Sequence, residues 1–168
     1  MAHTATKVPL ATTTLSATAD TISFSSISGS YTDLILVLSP MANAGNYDVG
    51  IRFNDDTAGN YSLTSIVFNA DNNANPYSTR ESNISAIKAY TNIATAQPYP
   101  VIFHILNYSN TTTYKTALTQ TARETYAVSR NVGLWRNTNA ITSVSLSFFG
   151  GGSTSFKSGT TATLYGIL

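Results

Sequence analysis

Tyr47-Asp48-Val49-Gly50-Ile51-Arg52-Phe53 is the stretch that decides the fold class. On an extended chain Tyr47, Val49, Ile51 and Phe53 share one face, and Asp48, Gly50 and Arg52 the other. That period-2 pattern predicts a half-buried strand. It runs into Asn54-Asp55-Asp56-Thr57-Ala58-Gly59-Asn60, turn formers that predict a hairpin or short loop. Tyr61 to Phe68 then resumes a strand-like pattern.

Working outward, Thr21-Ile22-Ser23-Phe24 alternates, and Ser28-Gly29-Ser30 supplies a turn. Asp33 to Leu38 and Val101 to Leu106 are continuous apolar runs, read as strands buried on both faces. Thr112 to Thr121 alternates with β-branched residues, and Val144, Leu146 and Phe148 alternate with serines. Gly150-Gly151-Gly152-Ser153 breaks that strand, and Thr161 to Leu168 supplies the last one. The expectation is an all-β, antiparallel, jelly-roll-like β-sandwich of about eight to ten short strands. Ser78 to Thr95 fits a helical turn around Ser85 to Tyr90, or a surface loop. Met1 to Thr14 offers little to bury and reads as an extended N-terminal arm, leaving residues 15–168 as one sandwich domain.

Composition narrows the function classes. The 168 residues include 26 Thr, 20 Ser and 15 Asn, but only 10% are charged, with a formal net charge of +1. Nine scattered basic residues give no electrostatic footprint for nucleic acid. The longest apolar stretch is far too short for a membrane span, and residues 1–17 lack the n- and h-regions of a signal peptide. With no cysteine there is no disulfide framework and no thiolate nucleophile.

Two stretches carry a family resemblance. One is Phe24-Ser25-Ser26-Ile27-Ser28-Gly29-Ser30-Tyr31-Thr32-Asp33-Leu34, followed by Arg52-Phe53-Asn54-Asp55-Asp56-Thr57-Ala58-Gly59-Asn60-Tyr61-Ser62. The other is Gly133-Leu134-Trp135-Arg136-Asn137-Thr138-Asn139-Ala140-Ile141, with Ser158-Gly159 and Thr163-Leu164-Tyr165-Gly166-Ile167 after it. In this order they resemble small jelly-roll-like β-sandwich proteins of tailed-bacteriophage virions, over about residues 20–168. This sequence has Asn54-Asp55-Asp56 where a glycine is common in the turn. The resemblance implies head decoration (cement) proteins, or tail and fibre components.

A search for catalytic chemistry leaves little. A Ser-His-Asp site needs a histidine with an acid behind it and a serine in front; His3 lies in the arm, and His104 reads as an ordinary strand histidine. Asp55-Asp56 is the one adjacent carboxylate pair, and solvated turn residues explain it, with a weak calcium site of Asn54, Asp55, Asp56 and Asn60 as the alternative. Glu81 and Glu124 are isolated, and the Asn-x-Ser/Thr sequons at Asn60, Asn83, Asn107 and Asn110 follow from composition. No enzyme activity, cofactor or resident metal is expected.

The expected role is a capsid decoration protein on the outer surface of the virion head, bound to the major capsid protein and to itself as a homotrimer or dimer. Lys7, Val8, Pro9 and Leu10 of the arm would lie along a neighbour. Tyr31, Tyr77, Tyr99 and Trp135 are the candidate contact aromatics, near strand ends with a wet edge available. The alternative is a tail or fibre module that recognises host-surface carbohydrate. Neither nucleic acid nor membrane is expected as a partner.

Overall fold

The computed structural model describes residues 6–45, 47–69, 76–93, 99–123, 127–149 and 154–168. Among these residues there are twelve strands and no helix. They are β1 (Lys7–Thr14), β2 (Ile22–Phe24), β3 (Asp33–Ser39), β4 (Tyr47–Phe53), β5 (Tyr61–Asn69), β6 (Tyr77–Ile84), β7 (Ile87–Ile93), β8 (Val101–Leu106), β9 (Lys115–Arg123), β10 (Ala127–Trp135), β11 (Val144–Phe149) and β12 (Thr161–Ile167). They form two antiparallel sheets, one in the order β1-β12-β3-β8-β9-β10-β5-β6 and the other in the order β2-β11-β4-β7.

The inner faces of the two sheets share one hydrophobic cluster. Alternation decides what enters it. Val49, Ile51 and Phe53 of β4 are fully buried, as are Leu34, Leu36 and Leu38 of β3 and Phe103 and Ile105 of β8. Phe53 and Tyr61 flank Trp135, with ring centroids 5.6 and 6.2 Å away. Phe148 packs on Phe156 at 4.5 Å. Gly133 of β10 marks a close approach between the sheets, because a Cβ there would lie 2.3 Å from Ile87 Cγ2 of β7.

Four expectations change or narrow. The apolar runs in β3 and β8 are covered on one side only among the described residues: Ile35, Val37, Ile102 and Leu106 are half-buried on the outer face, with no further described layer over it. Of the two forms expected for residues 54–60, they take the short loop and not the hairpin. Asn54 and Asp55 take left-handed φ values of 51° and 55° and turn a corner from β4 in one sheet to β5 in the other.

Third, the stretch from Ser78 holds no helical turn within the described residues. Tyr77–Ile84 pairs with β5 and Ile87–Ile93 pairs with β4, so Ser85-Ala86 is a second corner between the sheets. Residues 94–95 of that stretch lie outside the described residues.

Fourth, Lys7–Thr14 is not a free arm. It is an edge strand antiparallel to β12, from Lys7↔Ile167 to Thr14↔Thr161, with an irregularity between Pro9 and Ala11 where the missing proline N–H is tolerated. Thr12 and Thr14 share hydroxyl hydrogen bonds with Thr163 and Thr161 at 3.1 Å each. The Lys7 ammonium lies 4.1 Å from the Tyr165 ring centroid. Residues 1–5 of the expected arm lie outside the described residues.

Candidate functional site

The inner face of β5, β9 and β10 carries a patch of buried polar residues, Ser65, Thr119, Thr121, Ser129 and Asn131, beside the apolar Tyr61, Leu63, Val67, Ala117 and Trp135. Asn131 Nδ2 donates to Thr119 Oγ1 at 2.6 Å and to Lys88 O at 3.3 Å, so this polar layer is cross-linked under β7. The outer face mixes polar Thr64, Gln120 and Arg130 with aliphatic or aromatic residues open to solvent: Ile66 (48% exposed), Phe68 (54%), Leu118 (39%), Val128 (45%) and Val132 (52%). Strands normally place such residues inward, so this face is the least expected surface of the molecule.

The cross-strand register arranges that face in rows. One row is Ile35, His104, Leu118, Val132 and Thr64; the next is Val37, Ile102, Gln120, Arg130 and Ile66. Between them runs a groove of about 480 Å³, predominantly apolar, with His104, Gln120 and Arg130 as its polar points. His104 Nε2 shares a 3.0 Å hydrogen bond with Asp33 Oδ2, and Asp33 Oδ1 accepts from the Asn107 backbone N–H at 2.7 Å. The histidine and its acid thus fasten the end of β8 to β3. No serine stands in front of them in the register, so the pair has the orienting half of a triad and no nucleophile.

The turn after β4 is a hydrogen-bonded knot. Asp56 accepts at Oδ1 from the Ala58 N–H (2.9 Å), and at Oδ2 from Asn60 Nδ2 (2.9 Å) and Trp135 Nε1 (2.7 Å). Burial pushes its pKa up, but the hydrogen bonds from Asn60, Trp135 and Ala58 together outweigh that and hold the carboxyl below its ordinary value. Asn54 Oδ1 accepts from the backbone N–H groups of Thr142 and Ser143 at 2.8 and 3.1 Å. Of the residues considered for calcium, Asn54 and Asp56 thus spend their oxygens on N–H donors, and Asn54 pins the corner to residues 140–143. Among the described residues no group of three or more His, Asp or Glu side chains is placed to hold a metal ion.

Lys115 is buried at the start of β9, where its Nζ donates to the carbonyls of Thr113 (2.8 Å) and Thr138 (3.1 Å). Burial lowers its pKa. It joins two loops rather than facing a ligand.

The expected contact residues do not converge. Lys7, Val8, Pro9 and Leu10 lie in β1 along the chain's own β12. Tyr31 is half-buried at the same end, its ring over Gly166, where a Cβ would sit 2.4 Å from Tyr31 Cγ. Tyr77 opens β6, the opposite edge strand, and is 44% exposed. Tyr99 is half-buried just before β8. Trp135 is a correction: it is 1% exposed in the core, held there by the Phe53 and Tyr61 rings and by Asp56 at its indole N–H. Sugar stacking loses its one tryptophan.

The strand that carries this surface shows an alternation the sequence reading did not use. Val128, Val132 and Leu134 alternate with Ser129, Asn131 and Gly133, but period 2 says only that the two faces differ. Comparison with known proteins finds no matching family model, no similar curated protein and no similar solved structure.

Proposed function

We propose that this chain is a non-enzymatic structural protein of a tailed-bacteriophage virion, a decoration protein on the outer surface of the head, with the major capsid protein as partner. The strand order supports this reading. With the hairpins β5–β6 and β9–β10 set aside, the remaining strands run β1-β12-β3-β8 in one sheet and β2-β11-β4-β7 in the other. We read that order as a jelly roll built from two Greek keys, an architecture used by viral capsid and lectin domains. The two hairpins then read as insertions that widen one sheet beyond β8.

The observation that carries the proposal is the outward aliphatic patch on those inserted strands. They present Ile66, Phe68, Leu118, Val128 and Val132 to solvent while burying Ser65, Thr119, Ser129 and Asn131 among apolar inner residues, as expected of a protein whose working state covers that face. The outer face holds few ionic groups, so contacts made through it should vary little with salt.

Quantitative mass spectrometry of purified particles tests the assignment by copy number. Hundreds of copies per particle are expected. A handful would move the protein to the tail, and its absence from particles would overturn the virion role.

A further inference from the structure

We propose that the outer face of the eight-stranded sheet is where two copies of this chain meet, packed face to face about a two-fold axis along the β9–β10 seam. The proposal does not depend on where the protein resides.

An isologous contact requires a surface that matches itself under the two-fold. The strand order β3-β8-β9-β10-β5-β6 is laid out for this. Rotation about the seam sets β9 over the partner's β10, β8 over the partner's β5, and β3 over the partner's β6. Within rows fixed by the register, Leu118 then faces the partner's Val132, and Ile102 the partner's Ile66. The polar positions meet polar ones: Gln120 faces the partner's Arg130, and His104 the partner's Thr64. Each Gln120 can offer its amide carbonyl to a guanidinium that has no side-chain partner among the described residues of its own chain.

Charge follows the same symmetry. Asp33 on β3 is the one carboxylate on the described part of this face, and Arg80 on β6 pairs in register with the outward Thr64. The two-fold carries each copy's β3 to the partner's β6, setting Arg80 over the partner's Ile35, one row from the partner's Asp33, whose carboxylate also holds His104 and the Asn107 N–H. Any axis two strands away loses this match.

The flat projected area comes near what a dimer needs, and the side-chain relief must supply the rest. Six strands spaced about 4.8 Å apart and about 20 Å long project roughly 600 Å² before side-chain relief is counted. A standard interface buries about 800 Å² per partner. Two sheets stacked about 10 Å apart interdigitate such aliphatic rows as a domain core does.

Sedimentation equilibrium of the intact chain tests whether it dimerises, and a cysteine pair tests how. The chain has no cysteine of its own, so Leu118→Cys and Val132→Cys can be made in separate preparations, mixed and oxidised. The expected results are a dimer at about 100 µM, a cross-link in the Leu118→Cys and Val132→Cys mixture, and at least about a tenfold weaker dimer for Val132→Asp or Ile66→Asp. Those two side chains are half exposed, so an unchanged melting curve for diluted Val132→Asp or Ile66→Asp shows that the fold survives. A wild-type monomer at that concentration overturns the proposal. So does a dimer indifferent to both aspartates, or one in which the mixed cysteines stay reduced.

Discussion

The indole N–H of Trp135 donates to Oδ2 of Asp56 at 2.7 Å, across 79 residues of sequence. This bond ties the corner between the two sheets to the end of β10. The same carboxylate takes Asn60 Nδ2 and the Ala58 N–H, so one side chain fixes both the loop and the strand that carries Val128 and Val132. Asp56→Asn keeps the shape but replaces one acceptor oxygen with a donor. A loss of about 1–3 kcal/mol is expected in denaturant unfolding.

The same bond predicts a pH dependence. The Asp56 pKa is lower in the folded chain than its ordinary value of 3.8. Its contribution is therefore fully present above that value and is lost as pH falls through the lowered native one. Melting temperature should drop more steeply on acidification for the wild type than for Asp56→Asn. Parallel curves would contradict this.

Lys115 acts with the opposite sign. Burial lowers its pKa from 10.5, so keeping its proton costs the folded chain stability at neutral pH. That cost shrinks as pH rises towards 10.5. The tyrosines set the upper limit. Burial holds Tyr61 and Tyr108 above their ordinary 10.0, and above that value the unfolded chain gains by ionising them. Stability should therefore rise as pH approaches about 9.5 from below, and Lys115→Met should remove the rise, as chemical denaturation at each pH would show.

Gly133→Ala should be among the most damaging single-methyl changes. The new Cβ would sit 2.3 Å from Ile87 Cγ2 and 2.7 Å from Ile87 Cγ1, with β7 and β10 both anchored in their sheets. Overpacking of this kind costs about 1–3 kcal/mol. The double variant Gly133→Ala, Ile87→Ala should recover part of the loss, measured as a double-mutant cycle.

Removal of residues 1–14 should cost stability, contrary to what a dispensable arm implies. It strips β12 of its Lys7–Thr14 partner, the two threonine hydroxyl pairs and the Lys7–Tyr165 contact. Melting temperature should fall by several degrees; an unchanged value would return β1 to the status of an arm.

Much of the fold was legible because core strands declare themselves by alternation. Val49, Ile51 and Phe53 are buried as their pattern predicts, and so is Val144 with Leu146. The edges were not legible. β1 and β6 have few apolar residues because an edge strand buries little, so Lys7–Thr14 reads as an arm and Ser78–Ile84 as a loop. Trp135 was placed near a strand end correctly but exposed wrongly, since its polar partner Asp56 is remote in sequence. The candidate surface was hidden by the same limit. Alternation in β10 separates Val128 and Val132 from Ser129 and Asn131 without revealing that the aliphatic side faces out.

The central claim is that this outward aliphatic face is covered when the protein works. Radical footprinting of the chain in purified particles and free at high dilution tests it most directly. The account predicts strong protection in the particle at Ile66, Phe68, Leu118, Val128 and Val132, with the exposed Thr57-Ala58 loop labelled equally in both. Equal labelling of those five residues in particle and free chain would contradict it.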